Sequence, residues 1–385
     1  GLYPSQHRVL ANHYLLSESN TTLAEILKEN GFDTAAFTST DVHFLSTRLD
    51  QGFEFYEEPM DAQKTYGIRY RPARLTINNA IIWLDNFNPA RKLFMWVHLY
   101  DPHLPYHPPQ AYVKNLDRDK ENFFGFIEKY GINLEVFDNN LEKLYQYITQ
   151  YDAEIKYVDE ELQRFYGYVE NKGLNKNSLW IIVADHGEGL GQHNFLNHAK
   201  MVYQEQLHVP LIFLFTDLEI ESKRLDHIVE SFDIFSTVLD ILKIKAEDDL
   251  MREVQSDSQW PSIKGSKEIN TEKFAFAERN IYPQKDPFPP KVSEHRRRWE
   301  KGDKYSIQDE NYKYIFRTHY PDEFYDLKED PYEKTNLINK SMEVKKMLRG
   351  MISKYIRFFD KYHQQKDQTV DPKVLKKLRS LGYVN

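Results

Sequence analysis

The sequence lacks cysteine entirely, with none among its 385 residues. Disulfide bonds, thiolate zinc sites and a cysteine nucleophile are therefore excluded within these residues. The absence does not identify a compartment, because secreted chains can also lack cysteine. Localisation and oligomeric state stay open.

Long apolar runs are also missing. The strongest run, residues 209–215, is far shorter than the roughly 20 residues that a membrane-spanning helix needs. We therefore expect no transmembrane segment in this chain. The first residue is Gly1, and no initiator methionine, charged leader or apolar leader region follows it. We interpret this start as an interior cut in a longer protein.

Excess positive charge is a third absence. Lys and Arg total 51 and Asp and Glu total 59, which gives a formal net charge of -8. Such a chain has no global basic field to attract phosphate backbones, so we do not expect nucleic acid as a partner.

Aromatic residues, in contrast, make up 14% of the chain. Their rings either line a carbohydrate-sized cleft or, as is more usual, pack in the core and on the surface.

Helical and strand patterns alternate as far as Ile244. Thr22 and Glu25 predict a capped helix that ends at Asn30 and Gly31 and is followed by a strand. The alternation predicts an α/β fold built on a three-layer α/β/α sheet. The other predicted helices cover residues 76–86, 154–169 and 228–242, and the predicted strands cover 34–38, 93–98, 179–184 and 209–215, with 179–184 expected to be parallel and buried on both faces.

Beyond Ile244 the sequence becomes polar and irregular. Short strands are predicted at 274–278, 312–317 and 323–326, and they fit a small antiparallel sheet. A long closing helix is predicted at 342–362. The charged helical stretch 117–147 is interpreted as an insertion or lid.

A carboxylate and an imidazole follow the buried-looking strand 179–184. Asp185 and His186 stand at the carboxyl end of this strand, where open α/β sheets bind ligands, and they are oxygen and nitrogen donors suited to a divalent cation. In isolation such a pair more often caps the next helix. The titratable residues His193, His198 and Lys200 follow closely, and a core does not need that concentration of them.

The strand at 93–98 leads into a second candidate segment. His98 and His103 lie there, among prolines that hold the loop extended. For His98 a buried, hydrogen-bonded imidazole is as good an explanation as a catalytic role. For His103 the loop position favours function. We expect His103 to share one pocket with Asp185, His186 and Lys200.

The chain resembles the sulfatase family. Between Asp185 and Pro210 it contains the elements Asp-His-Gly-Glu, Gly-Gln-His, His-Ala-Lys, Tyr-Gln-Glu and His-Val-Pro-Leu-Ile, and residues 98–109 are similar to the family's Asp-Pro-His-x-Pro-Tyr loop. Residues 1–7 look like the tail of the family signature, after the Cys-x-Pro-Ser-Arg segment whose cysteine or serine becomes formylglycine. The likeness is collinear over nearly all of the chain and also includes residues 22–38, 324–337 and 378–384.

The resemblance implies an alkaline-phosphatase-like fold and a sulfuric ester hydrolase. Its catalytic α/β domain would cover residues 1–245, with its N-terminal part missing, and a C-terminal α+β subdomain would cover residues 246–385. The implied reaction is metal-assisted hydrolysis of a sulfate ester by a formylglycine nucleophile. The implied metal is one divalent cation, Ca²⁺ before Mg²⁺, and the implied substrate is a sulfated small molecule or carbohydrate.

The resemblance also assigns roles to residues. Asp185 and His186 would be metal ligands. Lys200 would neutralise sulfate oxygens or the departing alkoxide, and His103 would contact the sulfate or protonate the leaving group. His198 is placed in the same catalytic site, and His193 in a supporting position around it.

Two departures from the family pattern limit these expectations. The formylglycine and the paired aspartates that share the metal would precede Gly1, so we expect the 385 residues alone to be inactive. The family's Gly-Lys-Trp-His-Leu-Gly segment has no counterpart, and residues 38–49 stand in its place with His43 as the candidate substitute.

Other functions are compatible with the same residues. A phosphodiesterase, phosphonate hydrolase or phosphotransferase of the same superfamily would use metal and histidines equally well. A non-catalytic binding protein on this scaffold is a further alternative. The basic run at 295–298 suggests an anionic-substrate rim, but such a run is more often a solvated face.

Overall fold

The computed structural model describes residues 1–10, 14–41, 47–60, 63–65, 68–114, 116, 120–265, 273–279 and 302–363. The chain divides into two compact units. The first comprises the described residues within 1–10, 121–140 and 179–363, and the second comprises those within 11–120 and 141–178. The predicted boundary between residues 245 and 246 stays a prediction.

The described elements follow one another in a mixed α/β order. The helices are α1 (Pro4–His7), α2 (Leu23–Glu29), α3 (Ala73–Leu84), α4 (Gln110–Lys114), α5 (Lys120–Tyr130), α6 (Leu141–Asn171), α7 (Gln204–Leu207), α8 (Asp233–Leu242), α9 (Asp248–Glu253), α10 (Trp260–Ile263) and α11 (Glu343–His363). The strands are β1 (Phe32–Phe37), β2 (Phe55–Glu57), β3 (Gln63–Thr65), β4 (Ile68–Tyr70), β5 (Lys92–Val97), β6 (Leu179–Val183), β7 (Gly189–Leu190), β8 (Leu196–Asn197), β9 (Leu211–Phe215), β10 (Ala275–Arg279), β11 (Lys304–Gln308), β12 (Tyr312–Arg317) and β13 (Glu323–Asp326). None of the described helices is long and apolar enough to cross a membrane.

A parallel sheet in the order β2-β1-β5 forms the centre of the second unit. The helix before it is capped as predicted, because the Thr22 hydroxyl accepts from the Glu25 backbone N–H and the Glu25 carboxylate accepts from the Thr22 N–H. Ala35, Ala36 and Phe37 of β1 are buried, as in a parallel strand covered on both sides. The predicted helix, glycine and strand are therefore confirmed.

Helix α6 is longer than the pattern at 154–169 predicts. It begins at Leu141, because the residues before Glu154 continue one apolar face through Leu144 and Ile148. Arg74 at the start of α3 donates to Glu161 of α6 at 2.6 Å. The ion pair joins α3 to α6, and both helices bind the loop after β5, α3 through Ala73 and α6 through Glu154.

In the first unit β6 pairs with β9. The two strands are antiparallel, and Val183 is 41% exposed. The prediction that residues 179–184 form a parallel strand buried on both faces is therefore wrong for the described residues. A continuous apolar run shows that a strand is present, but not which strand pairs with it.

The C-terminal part of this unit is an antiparallel sheet in the order β10-β11-β12-β13. One face packs against α11, with Phe276, Ile307 and Tyr314 in a buried cluster that also contains Tyr3. The predicted small sheet and closing helix are confirmed. Strand β11 was not predicted, since its first residue is a lysine and its centre is a short Tyr-Ser-Ile segment.

Several predicted features lie outside the described residues. These are His43, the basic run at 295–298, the similarity at 378–384 and part of the stretch 117–147.

Candidate active site

The exit of β6 is held by a close backbone contact. The Gly187 N–H donates to the Gln206 carbonyl at 2.8 Å. A Cβ atom at Gly187 would lie 2.1 Å from the Glu205 carbonyl oxygen, so a larger residue cannot fit without moving the backbone. The two residues before this glycine, Asp185 and His186, are therefore presented at a fixed point at the end of the strand.

The His186 ring is oriented by its own turn. Its Nδ1 donates to the Gly187 carbonyl at 2.8 Å, so Nε2 carries the lone pair of the neutral ring. This Nε2 lies 3.7 Å from Oδ1 of Asp185, whose side chain is 78% exposed. A divalent cation at roughly 2.0–2.6 Å from each atom would contact both. The donor types and their spacing fit such an ion.

His198 stacks on His186. The ring centroids are 3.9 Å apart with an interplanar angle of 20°. Nδ1 of His198 lies 3.4 Å from both carboxylate oxygens of the buried Glu188. The carboxylate orients the ring so that Nε2 again carries the lone pair. The sequence contains Glu188 in its Asp-His-Gly-Glu element, but the pattern alone did not give it a role.

Lys200 follows a residue in an unusual conformation. Ala199 has φ of 66°, in the left-handed region that non-glycine residues rarely adopt. Directly after Lys200, Met201 and Tyr203 are buried against Ile315 of the C-terminal sheet. The surrounding packing holds this strained turn, as is common at functional sites.

His193 joins three segments of the first unit. Its Nδ1 lies 2.9 Å from Oε1 of Glu205, and its Nε2 lies 2.9 Å from the Glu333 carbonyl. Its ring stacks on Tyr203 at 3.7 Å. Burial opposes protonation, but the hydrogen bonds to Glu205 and Glu333 outweigh it and raise the pKa of His193. In the protonated ring both nitrogens donate, to Glu205 and to the Glu333 carbonyl, and the supporting position assigned to His193 stays a prediction.

In the second unit, the loop after β5 carries His103. Its Nδ1 donates to the Leu104 carbonyl at 2.6 Å, which leaves the lone pair on Nε2. The ring lies 4.5 Å from that of Tyr100, whose hydroxyl donates to the same carbonyl at 2.7 Å. Tyr100 in turn stacks on Tyr70. The Leu104 carbonyl and the Tyr100 ring therefore fix the orientation of the His103 imidazole.

His98 is hydrogen-bonded at the end of β5. Its backbone N–H donates to the Phe37 carbonyl at 2.9 Å, and its carbonyl accepts from the Ser39 hydroxyl at 2.7 Å. Its Nδ1 lies 3.2 Å from the same hydroxyl. These bonds match the structural explanation for His98.

Two carboxyl groups, of the half-buried Asp101 and the buried Glu154, hold the ends of the His103 loop. Asp101 accepts from the Ala73 N–H at 2.7 Å, and Glu154 accepts from the His107 N–H at 2.5 Å. Burial raises the pKa of Asp101 to about 6. Burial, and then the charge of Asp101, raise the pKa of Glu154 to about 8. Sequence reasoning missed Glu154, because a glutamate in a charged helix resembles a solvent-facing residue.

The predicted site residues fall into two groups. The first unit brings Asp185, His186 and His198 together, with Lys200 two residues further along the chain. His103 belongs to the second unit, and the expectation that it shares a pocket with them stays a prediction. A cavity of about 570 Å³ in the second unit, lined by residues of β1, β2, α3 and the turn after it, contains none of the predicted site residues.

Comparison with known families identifies the chain. The sequence profile described as "Sulfatase" matches residues 1–244, and the profile described as "N-sulphoglucosamine sulphohydrolase, C-terminal" matches residues 191–361. The first match covers more than half of the chain. The chain therefore belongs to the sulfatase family.

Two curated relatives are sulfatases. A Delta 4,5-hexuronate-2-O-sulfatase of Bacteroides thetaiotaomicron is 27% identical over 201 residues, which are 50% of this chain and 37% of the relative. An arylsulfatase of Clostridium perfringens is 24% identical over 303 residues, which are 71% of this chain and 55% of the relative. The matched part of this chain thus spans between about a third and a half of these relatives' lengths.

Solved structures share the fold. One is a protein in complex with its substrate D-glucosamine-2-N,6-O-disulfate, with a TM-score of 0.70, 17% identity, and coverage of 96% of this chain and 87% of that one. Another is the phosphonate monoester hydrolase of Agrobacterium radiobacter, with a TM-score of 0.68, 19% identity, and coverage of 94% and 84%. At these identities the likeness shows the fold alone. It confirms the predicted alkaline-phosphatase-like α/β fold with a C-terminal antiparallel sheet.

Proposed function

We propose that this protein hydrolyses a sulfate ester on a sulfated sugar. The observation that carries the proposal is the arrangement at the end of β6, where Asp185, His186 and His198 present one carboxylate and two oriented imidazoles in a chain of the sulfatase family. A relative that acts on a hexuronate sulfate supports a carbohydrate substrate.

The metal and the nucleophile belong to the proposal. Oδ1 of Asp185 and Nε2 of His186 would hold one divalent cation, since the carboxylate supplies an oxygen and the imidazole a lone pair. The order Ca²⁺ before Mg²⁺ comes from the resemblance to the sulfatase family. When bound, the cation would neutralise charge on the sulfate oxygens, and a formylglycine outside these 385 residues would supply the nucleophile. We expect the 385 residues alone to release no sulfate.

The chain's own side chains would handle charge and protons. Lys200 would bind the non-bridging sulfate oxygens, where an ammonium group stabilises the charge that develops in the transition state. His103 would protonate the leaving oxygen from Nε2 in its imidazolium form, while its Nδ1 proton stays bonded to the Leu104 carbonyl. His198, oriented by Glu188, would contact the substrate from the stacked pair.

Phosphoryl chemistry is the second candidate. The fold is shared with a phosphonate monoester hydrolase, and a carboxylate, imidazoles and a lysine serve a phosphorus centre equally well. Competing a sulfated monosaccharide with an aryl phosphonate monoester in one assay of the natural polypeptide separates the two. We expect kcat/KM for the sulfate ester to exceed that for the phosphonate, and the reverse order would assign the protein to phosphonate hydrolysis.

A further inference from the structure

The C-terminal sheet has a second face, opposite to the one that packs on α11. Side chains alternate along each strand, so Tyr305 and Ile307 point to the α11 side while Lys304 and Ser306 point away from it. Ile315, which is opposite Ser306 in register, contacts the segment that follows Lys200. This second face therefore supports the turn that carries Lys200.

Three cations lie in one row on that face. Arg279 of β10 is opposite Lys304 of β11, and Lys304 is opposite Arg317 of β12. Residues directly opposite on antiparallel strands have Cβ atoms about 4.5–5.5 Å apart, and like charges there repel each other. We name Arg279, Lys304 and Arg317 the cation row. A fold gains no stability from such a row by itself.

The cation row is built into the sheet. Lys304 is 1% exposed, and its Nζ lies 3.5 Å from the Gly302 carbonyl, which also accepts from Arg279 at 3.1 Å. Arg317 contacts Glu323 at 2.7 Å, and Glu323 accepts from the Tyr203 hydroxyl at 2.8 Å. The carboxylate of Glu323 thus joins the row to the segment that follows Lys200.

Positive groups dominate the charges that act on Lys304, while Glu323 pairs with Arg317. Burial is the main cause that lowers the pKa of Lys304 to about 8, and the charges of Arg279 and Arg317 act in the same direction. Lys200 lowers it as well, while Asp303 raises it. Lys200 and the two arginines thus all disfavour the charged form of Lys304, which a negative group bound at the row would favour.

We infer that the cation row is a subsite for a second anionic substituent of the substrate, beyond the sulfate that is hydrolysed. Arg279, which is partly exposed, would make the direct contact with a carboxylate or a second sulfate group, and Lys304 would support it from behind with its charge. The inference rests on the proposed function, because it takes Lys200 as the group that binds the reacting sulfate. It specifies a sugar that carries at least two negative groups.

Binding of three matched sugars tests the inference without requiring turnover. The probes are a monosulfated glucose, the glucuronate that carries sulfate at the same position, and a disulfated glucose. By calorimetry in the presence of Ca²⁺, we expect the wild-type protein to bind at least one doubly anionic probe about tenfold or more tightly than the monosulfated glucose, which corresponds to about 1.4 kcal/mol. Preference for the glucuronate assigns the subsite to carboxylate, and preference for the disulfated sugar assigns it to sulfate.

Variants distinguish the subsite from the sulfate site. In Arg279→Gln and in Lys304→Met the three probes should bind with about equal affinity, and the affinity for the monosulfated glucose should change little. Lys200→Ala should instead lower the affinity for all three probes. Lys304→Met keeps the buried aliphatic chain, and Lys328→Gln, an exposed cation after β13, is the matched control. Equal wild-type binding of the three probes, or an equal loss for all of them in Arg279→Gln, would overturn the inference. If the natural polypeptide shows the preference but releases no sulfate, the subsite assignment stands and the proposed function is wrong.

Discussion

Glu154 accepts a hydrogen bond from the backbone N–H of His107 at 2.5 Å, and it does so from a side chain that is 2% exposed. Tyr106, the preceding residue, packs between Tyr147 and Tyr151 on the same helix. The spacing of these two tyrosines and Glu154 puts them on one face of α6. This face anchors the end of the loop that carries His103.

Removing the Glu154 carboxyl group should loosen that loop. In the natural polypeptide, Glu154→Ala should lower kcat/KM about tenfold or more, because a group held out of position loses the benefit of orientation. Glu154→Gln keeps the acceptor for His107 and should retain most of the activity. Glu161→Gln removes another buried carboxylate of α6, one that binds Arg74 instead of the loop. Equal losses in Glu154→Ala and Glu161→Gln would contradict the loop-anchoring role.

The raised pKa of Glu154 predicts a pH dependence of stability. The pKa of Glu154 is about 8 in the folded protein and 4.5 in the unfolded chain. Folding therefore takes up a proton when the pH lies between these two values. The contribution is present in full below pH 4.5 and is lost as pH rises through about 8. Asp101, Tyr100 and the His107 N–H are the groups that interact with this carboxyl group.

Urea unfolding of wild type and Glu154→Gln measures this effect. The free energy of unfolding of the wild type, relative to that of the variant, should fall between about pH 5 and about pH 8, since glutamine does not titrate. A difference that stays constant or rises over this range would show that Glu154 is ionised in the folded protein.

Asp185 is expected to carry most of the metal affinity of the β6 exit. Asp185→Asn keeps one oxygen donor but removes the negative charge, so the Kd for Ca²⁺ should rise about tenfold or more. Calorimetry on the protein and on Asp217→Asn, an exposed aspartate after β9, provides the comparison. If Asp185→Asn binds Ca²⁺ as tightly as Asp217→Asn does, the metal-ligand assignment is wrong.

A fully buried ion pair links the C-terminal sheet to the segment that follows Lys200. Nζ of Lys313 lies 2.9 Å from Oε1 of Glu333, and Oε2 of Glu333 accepts from the Gln204 N–H at 2.6 Å. Lys313→Met should lower the free energy of unfolding by about 3–5 kcal/mol, because it leaves a buried carboxylate without its cation. Denaturant unfolding should show a smaller loss in the double variant Lys313→Met/Glu333→Leu. A double variant that is less stable than Lys313→Met would mean that the carboxylate does not depend on this lysine.

Local patterns predicted much of the fold. The capping box of Thr22 and Glu25 requires only four consecutive residues, and the strand before Asp185 requires only a short apolar run. The stacked pair of His186 and His198 was expected as a cluster because both follow the same strand exit. Each of these features is encoded within a short stretch of chain.

Features that depend on pairing between distant segments were not predicted. The antiparallel partner of β6 is β9, and no residue of β6 alone identifies it. The contact of Glu154 with His107 and the alignment of Arg279 with Lys304 depend on helix packing and strand register. The sequence alone does not distinguish a charged residue that such pairing buries from one on the surface.

Sulfate release by the natural polypeptide and its Lys200→Ala variant tests the central claim most directly. With a monosulfated sugar, ion chromatography should show sulfate release by the wild type and a decrease in kcat of about a hundredfold or more in Lys200→Ala, because one transition-state charge contact is lost. Lys328→Ala should match the wild type. Full activity in Lys200→Ala, or no sulfate release by the wild type, would contradict the assignment of this segment as a sulfate-ester site.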